Sequence, residues 1–257
     1  MALAPSSASI RSQFTAAAPS YGYSAVHAAG PDLPLLVEAA NLKPSDRVID
    51  LGTGAGHTAF AFAPHAASVA AVDLTAEMLR VGQGIARERK ITNVTFHEAD
   101  VVRLPFPEAS FEVASCRYCG HHFDEPGEAL AEAARVLVPG GRFLLVDTVA
   151  PETPALDTFV QVFEFLRDRS HVRNLRASEW IRLFDKHGFD AEVRHRAPIV
   201  LDGADWVKRM QTPPEKVAMI RTLFAEATAA QKAAFDLVSE EPWGLSLPMA
   251  IVVAIKR

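Results

Sequence analysis

Apolar residues along this chain come in short runs separated by longer amphipathic stretches. The runs at Arg47–Leu51, Ser68–Asp73, Val94–Glu98, 111–116 and 143–147 are rich in Val, Ile, Leu, Phe and Ala and are bounded by turn formers, which predicts strands. Most are almost continuously apolar, as expected of strands covered on both faces. Between them the spacing predicts helices over 57–63, ended by Pro64, from a Thr75 N-cap to about Lys90, and from near Pro126 to just before Pro139-Gly140-Gly141, with Asp124 as candidate cap. Strands separated by single helices imply βαβ units and a parallel sheet, hence an α/β fold. Two short helices, 10–18 and 34–40, precede this alternation.

Beyond residue 150 the pattern changes. Residues 153–166 read as a helix rich in Phe, and Ser178 as the cap of a helix through His187, stopped by Gly188. A strand is expected at 191–197, helices at 205–210 and 214–238, and a closing strand at 248–256. The expected organisation is one domain: an N-terminal segment 1–46, a core 47–149, and a small helical cap with closing strands in 150–257.

Composition narrows the function classes. The chain has 257 residues, 49% of them apolar, enough for one sizeable core. Its apolar runs are too short to span a bilayer, so no membrane partner is expected. The Ala- and Ser-rich first twenty residues lack the basic and apolar regions of a signal peptide, which favours the cytoplasm. Net charge is −5, with acids and bases interspersed and no basic stripe, so nucleic acid is not an expected partner. Two cysteines make no disulfide scaffold.

The first candidate site is Asp50-Leu51-Gly52-Thr53-Gly54-Ala55-Gly56, directly after the first predicted strand. Glycines there permit a sharp turn and close approach of a ligand, and the next helix offers free N–H groups. Gly54, Gly56 and Ala59 also satisfy the looser dinucleotide pattern, so the glycines alone are weak evidence. The acids sharpen the reading. Asp73 ends the second strand, where an acid can accept both hydroxyls of a ribose, and Asp100 lies just past the third, within reach of an adenine amino group. Pyrophosphate would sit badly beside Asp50, whereas a sulfonium cofactor carrying an ammonium suits acidic surroundings.

The segments "VIDLGTGAGHTA", "VDLTAEML", "ADVVRLPFPEASFEVASCRYCGHHF" and "RVLVPGGRFLLVD" resemble successive motifs of class I S-adenosylmethionine (SAM)-dependent methyltransferases, most closely the ubiquinone/menaquinone-biosynthesis-like (methyltransferase type 11) family. The resemblance implies a Rossmann-like seven-stranded sheet, mostly parallel with an antiparallel last strand, and helices on both faces. It implies SAM as cofactor and S-adenosylhomocysteine as product. Gly52, Thr53, Gly54 and Gly56, with Asp50, would surround the methionine part. Asp73 would hold the ribose, Leu74 would pack on the adenine, and Asp100 and Val101 would contact its edge. Cys116 and Arg117 would lie beside the sulfonium, and Tyr21 and Tyr23 would close over the cofactor. The partner is then a small-molecule methyl acceptor; a homodimer is compatible with the family.

The stretch Cys116-Arg117-Tyr118-Cys119-Gly120-His121-His122-Phe123 follows the fourth strand at the mouth of the expected cleft. Methyl transfer needs alignment above all, and a base only where the acceptor carries a proton. His121 and His122 are candidate bases; the bland alternative is that they hydrogen-bond to backbone. His57, Arg167, His171 and Trp206 are candidate acceptor contacts, against the alternative of surface ion pairs and ordinary core. Cys116 and Cys119 with the two histidines could ligate zinc, but they lie in one short segment with no second pair, so no metal is expected. Two other readings keep the fold: SAM used for a cyclisation or rearrangement, and non-catalytic SAM binding.

Overall fold

The computed structural model of the protein describes residues 10–15, 18 and 28–257. Strand β1 (Arg47–Leu51) lies inside a seven-stranded sheet. On one side follow β2 (Ser68–Asp73) and β3 (Val94–Glu98); on the other β4 (Phe111–Arg117), β5 (Leu137–Thr148), β7 (Gly244–Lys256) and β6 (Phe189–Asp202). Strands β1 to β5 are mutually parallel, whereas β7 runs antiparallel to both β5 and β6. This is the mixed sheet that the family resemblance implies.

The alternation of side chains along each strand divides the core into two layers. Ile49, Leu51, Ala70 and Val72 point to the face that carries helices α4 (Pro126–Val136) and α6 (Ala177–Lys186), through Leu130, Ala133, Trp180 and Phe184. Val48, Val69 and Ala71 point to the other, covered by α1 (Asp32–Ala40), α2 (His57–Phe62) and α3 (Ala76–Glu88) through Leu36, Phe62 and Ala86. The ends of β1 to β4 carry the loops that form the site.

Several local expectations are corrected. Asp124 caps nothing: the N-cap of α4 is Glu125, with Pro126 in the first turn. Thr75 stands at the N-cap of α3 but makes no side-chain cap bond. Ser178 lies inside α6, whose N-cap is Arg176, and its hydroxyl donates to Glu152 Oε2 at 2.7 Å. Pro139–Gly141 does not end before a strand; it bulges within β5, where Gly140 has φ 72° and the pairing jumps from Leu137 to Arg142. The single helix expected over 214–238 is two, α8 (Pro214–Ala225) and α9 (Ala229–Phe235). Thr228 and Gln231 form a capping box between them, a start signal present in the sequence.

Strands β6 and β7 are longer than expected. They pair from Phe189↔Lys256 to Asp202↔Gly244, but β5 accompanies β7 only as far as Met249. Past that point they run on as a two-stranded ribbon. Helices α7 (Gly203–Arg209), α8 and α9 are inserted between the ribbon's tips. They pack with α5 (Pro154–Arg167) around Phe163, Trp206, Phe224, Phe235 and Trp243, closed from below by Leu201, Leu245 and Leu247 of the ribbon. Among the described residues no helix is long and apolar enough to cross a membrane.

Candidate active site

The glycine loop turns because Gly52, Gly54 and Gly56 all adopt positive φ, at 65°, 54° and 89°. At Gly52 a side chain is excluded a second time, since a Cβ would run into Cys119 Sγ. Buried Asp50 anchors the loop from beneath by accepting from the hydroxyls of Thr53 and Ser115, both at 2.6 Å. Burial raises its pKa to about 6, although those two hydroxyl bonds pull the other way. Asp73, at the end of β2, accepts Gly54 N–H through Oδ2 and Thr75 N–H through Oδ1, each at 2.8 Å. Its carboxylate thereby ties the loop to the neighbouring strand end.

The loop and the end of β2 border a cavity of about 290 Å³. Gly52, Thr53, Gly54, Asp73, Leu74, Asp100, Val101 and Arg117 all line it, as do His57 and His122. The structure thus brings together residues from four strand ends. Three expected contacts lie elsewhere. Asp50 and Cys116 are buried beneath the wall, and Gly56 sits at the N-cap of α2 against the Phe60 ring. Cys119 takes the place on the wall that was expected of Cys116. Tyr21 and Tyr23 lie outside the described residues. Arg117 is not a solvated cation: buried Asp32 accepts from its Nε at 2.5 Å and its Nη2 at 3.1 Å, and its guanidinium lies 4.8 Å from the Tyr118 ring centroid.

A second, smaller cavity of about 70 Å³ adjoins the first, and Tyr118 and His122 line both. His121, Glu164, Arg167, Asp168 and Trp206 line it over the apolar floor of Ile199, Leu201 and Leu247. His121 and His122 occupy the 3-10 turn Gly120–His122 and play different parts. Asp147, at the end of β5, accepts both the backbone N–H of His121 at 3.0 Å and its Nδ1–H at 2.7 Å. A carboxylate only accepts, so Nδ1 carries a proton, and in the neutral ring Nε2 holds the free lone pair. Burial lowers the pKa of this ring, but the charge and hydrogen bond of Asp147, helped by Glu164 and Asp168, outweigh it and raise it overall. His122 donates Nδ1–H to the carbonyl of Ser170 at 2.9 Å, and burial with His121 alongside pushes its pKa down to about 4.

Two candidate acceptor contacts, Arg167 and Trp206, line the smaller cavity. Arg167 is seated 5.1 Å over the Trp206 ring, donates Nε–H to the Trp206 carbonyl, and pairs with Glu164 at 3.6 Å. His171 does not reach either cavity. It is 2% exposed and donates Nε2–H to Gln161 Oε1 at 3.0 Å, leaving a buried Nδ1 with no hydrogen-bond partner among the described residues. Arg173 is an ion-pair residue, held by Asp157 at 2.8 Å. Phe159, Phe163 and Trp180 belong to the core. The residues missed were Asp147, Glu164, Tyr118 and Phe14. An acid at the end of a strand was the signal that found Asp73, and applied to "LLVD" it would have found Asp147.

The methyltransferase domain family matches residues 49–145, which contain the glycine loop and the strand ends that form the larger cavity. YcgJ of Bacillus subtilis, an uncharacterised methyltransferase, is 38% identical over 235 residues, 90% of this chain and 93% of its own. The chain belongs to the SAM-dependent methyltransferases. Its cofactor is SAM. The crystal structure of YcgJ superposes with a TM-score of 0.85, covering 88% of this methyltransferase and 97% of the other at 37% identity. The ubiquinone/menaquinone biosynthesis C-methyltransferase UbiE of Bdellovibrio bacteriovorus is 36% identical over 114 residues, 44% of this chain and 48% of its own. The [4+2]-cyclase SpnF shares the fold, with a TM-score of 0.70 at 19% identity over 98% of this chain and 97% of its own.

Proposed function

We propose that this methyltransferase holds SAM in the larger cavity and transfers its methyl group to an oxygen, nitrogen or carbon of a small molecule. The observation that carries the reading is the convergence of Gly52, Gly54, Asp73 and Asp100 on one cavity that opens beside a second, polar one. SAM supplies an electrophilic methyl group on a sulfonium.

The residues fit that cofactor. Asp73, fixed by the N–H groups of Gly54 and Thr75, lines the cavity at a strand end where a carboxylate can accept a ribose hydroxyl. Asp100 is partly exposed beside Val101 at the end where an adenine edge would lie. Asp32 neutralises Arg117, so the wall next to the sulfonium does not present an unpaired cation. Thr53 and Ser115 spend their hydroxyls on Asp50, which keeps the loop fixed before the ligand arrives.

A crystal structure with S-adenosylhomocysteine tests this assignment. Ribose hydroxyls are expected on Asp73 and the adenine edge at Asp100 and Val101. A ligand seated away from the glycine loop would overturn it. Transfer of label from methyl-labelled SAM to a small molecule tests the reaction itself.

A further inference from the structure

We propose that the smaller cavity is the acceptor chamber, that His121 is its base with Asp147 as positioning residue, and that the acceptor is a compact polar molecule bearing a weakly acidic O–H or N–H, not a prenylated quinone precursor. The proposal rests on the methyltransferase reading above.

Three observations carry it. The chamber meets the larger cavity at Tyr118 and His122, which line both, so an acceptor in it lies next to the cofactor's cavity. Of the two adjacent histidines, only His121 belongs to the chamber alone. Asp147 fixes its Nδ1, and its bare Nε2 has no hydrogen-bond partner among the described residues. His122 is pinned instead by Ser170 and by the edge of Phe14, 5.0 Å between ring centroids.

The third observation is size and polarity. About 70 Å³ is well below the ~300 Å³ at which drug-sized pockets begin. The walls include side chains of Glu164 and Arg167 that are only 5% and 12% exposed, and buried Asp168. A prenyl chain laid against them would strand desolvated charges. A single ring or short chain can rest on Ile199, Leu201 and Leu247 and offer a polar group to His121.

In the transfer, the acceptor's X–H proton passes to His121 Nε2. The freed pair on X forms the bond to the methyl carbon, and the methyl–sulfur bonding pair stays on sulfur. The imidazolium formed is stabilised by Asp147 from β5. It is also faced by Glu164 and Arg167 from α5, Asp168 just after that helix, Arg209 from α7, and by His122 and His171.

The test soaks crystals of the S-adenosylhomocysteine complex with phenol, catechol and ethanolamine. The same compounds and a prenylated hydroquinone are assayed for label from methyl-labelled SAM. A compact probe is expected within hydrogen-bond distance of His121 Nε2 and is labelled in preference to the hydroquinone. Ile199→Trp fills the chamber, so it should abolish that density and label while SAM affinity by calorimetry is unchanged. A chamber that excludes every probe, with the product seated in the larger cavity, overturns the proposal, as does preferential labelling of the hydroquinone. Failure to bind SAM at all would instead remove the cofactor reading on which the proposal stands. For Asp147, a nitrogen-resolved NMR titration of the His121 ring is independent of turnover. Asp147→Asn should move that titration to lower pH, and an unmoved titration would deny Asp147 its role.

Discussion

The two cavities lie side by side and are built on different principles. The larger one is made by backbone: three glycines at positive φ, and a carboxylate on Asp73 spent on the N–H groups of Gly54 and Thr75. The smaller one is made by buried side chains, with Glu164, Arg167, Asp168 and His121 drawn from α5, the residue that follows it and the turn after β4. A backbone site tolerates few residue types at fixed spacing. A side-chain site can be reached by many sequences provided that each buried charge finds a partner.

The strongest way to break this contrast is Gly52→Ala. The substitution meets both a left-handed φ and the Cys119 sulfur, costing about 2–5 kcal/mol between fold stability and SAM affinity. Thermal unfolding and calorimetry together measure the sum. Unchanged values would show that the loop moves freely.

Next comes Asp73→Ala. It removes charge-assisted bonds worth on the order of 2–4 kcal/mol, so SAM affinity should fall more than tenfold in a folded protein. Equal affinity by calorimetry would place the ribose elsewhere.

Acid should separate the two regions. Asp50 has its pKa raised from 3.8 to about 6, so its protonated form is preferred in the folded state. Its contribution is present below pH 4 and lost as pH rises through about 6, by about 3 kcal/mol at most. His122 and His171 are shifted the opposite way, down from 6.5, chiefly by burial. Their contribution is present above pH 6.5 and lost as pH falls, towards pH 4 for His122. Between pH 6.5 and 4 the segment 168–174 should therefore exchange amide hydrogens faster while β1 becomes more protected. Asp50→Asn should abolish only the second change, and parallel responses of the two segments would contradict the assignment.

The smallest effect is expected for Arg11→Ala. The exposed pair with Glu98 at 3.1 Å ties residues 10–15 over the larger cavity. Its loss should weaken SAM binding by less than about 1 kcal/mol, an effect that vanishes in high salt. A larger loss by calorimetry would make that segment part of the binding wall proper.

This contrast also explains what was legible in the sequence. Strands β1, β2 and β3 have the expected limits, because continuous apolar runs between turn formers have little other use. Gly52, Gly54, Asp73 and Asp100 could be picked out because a ligand-binding loop after a strand demands particular residues at particular places. The strand limits of β6 could not. Its exposed and half-buried residues alternate with no strong apolar run, and the length is set by pairing with β7. The separate fates of His121 and His122 were hidden too. One faces Asp147 and the other the Ser170 carbonyl, partners that lie 26 and 48 residues away along the chain.

The ribbon formed by the ends of β6 and β7 has an evolutionary consequence. Helices α7 to α9 enter and leave the sheet at one point, between Asp202 and Gly244, which face each other as a pair. The segment between those two residues can change in length without altering the register of the strands beneath, as long as Phe163, Leu201, Leu245 and Leu247 stay covered. The fold thus offers descent a single interchangeable cassette, through which a lineage can acquire new acceptors while inheriting its methyl-donor machinery unchanged.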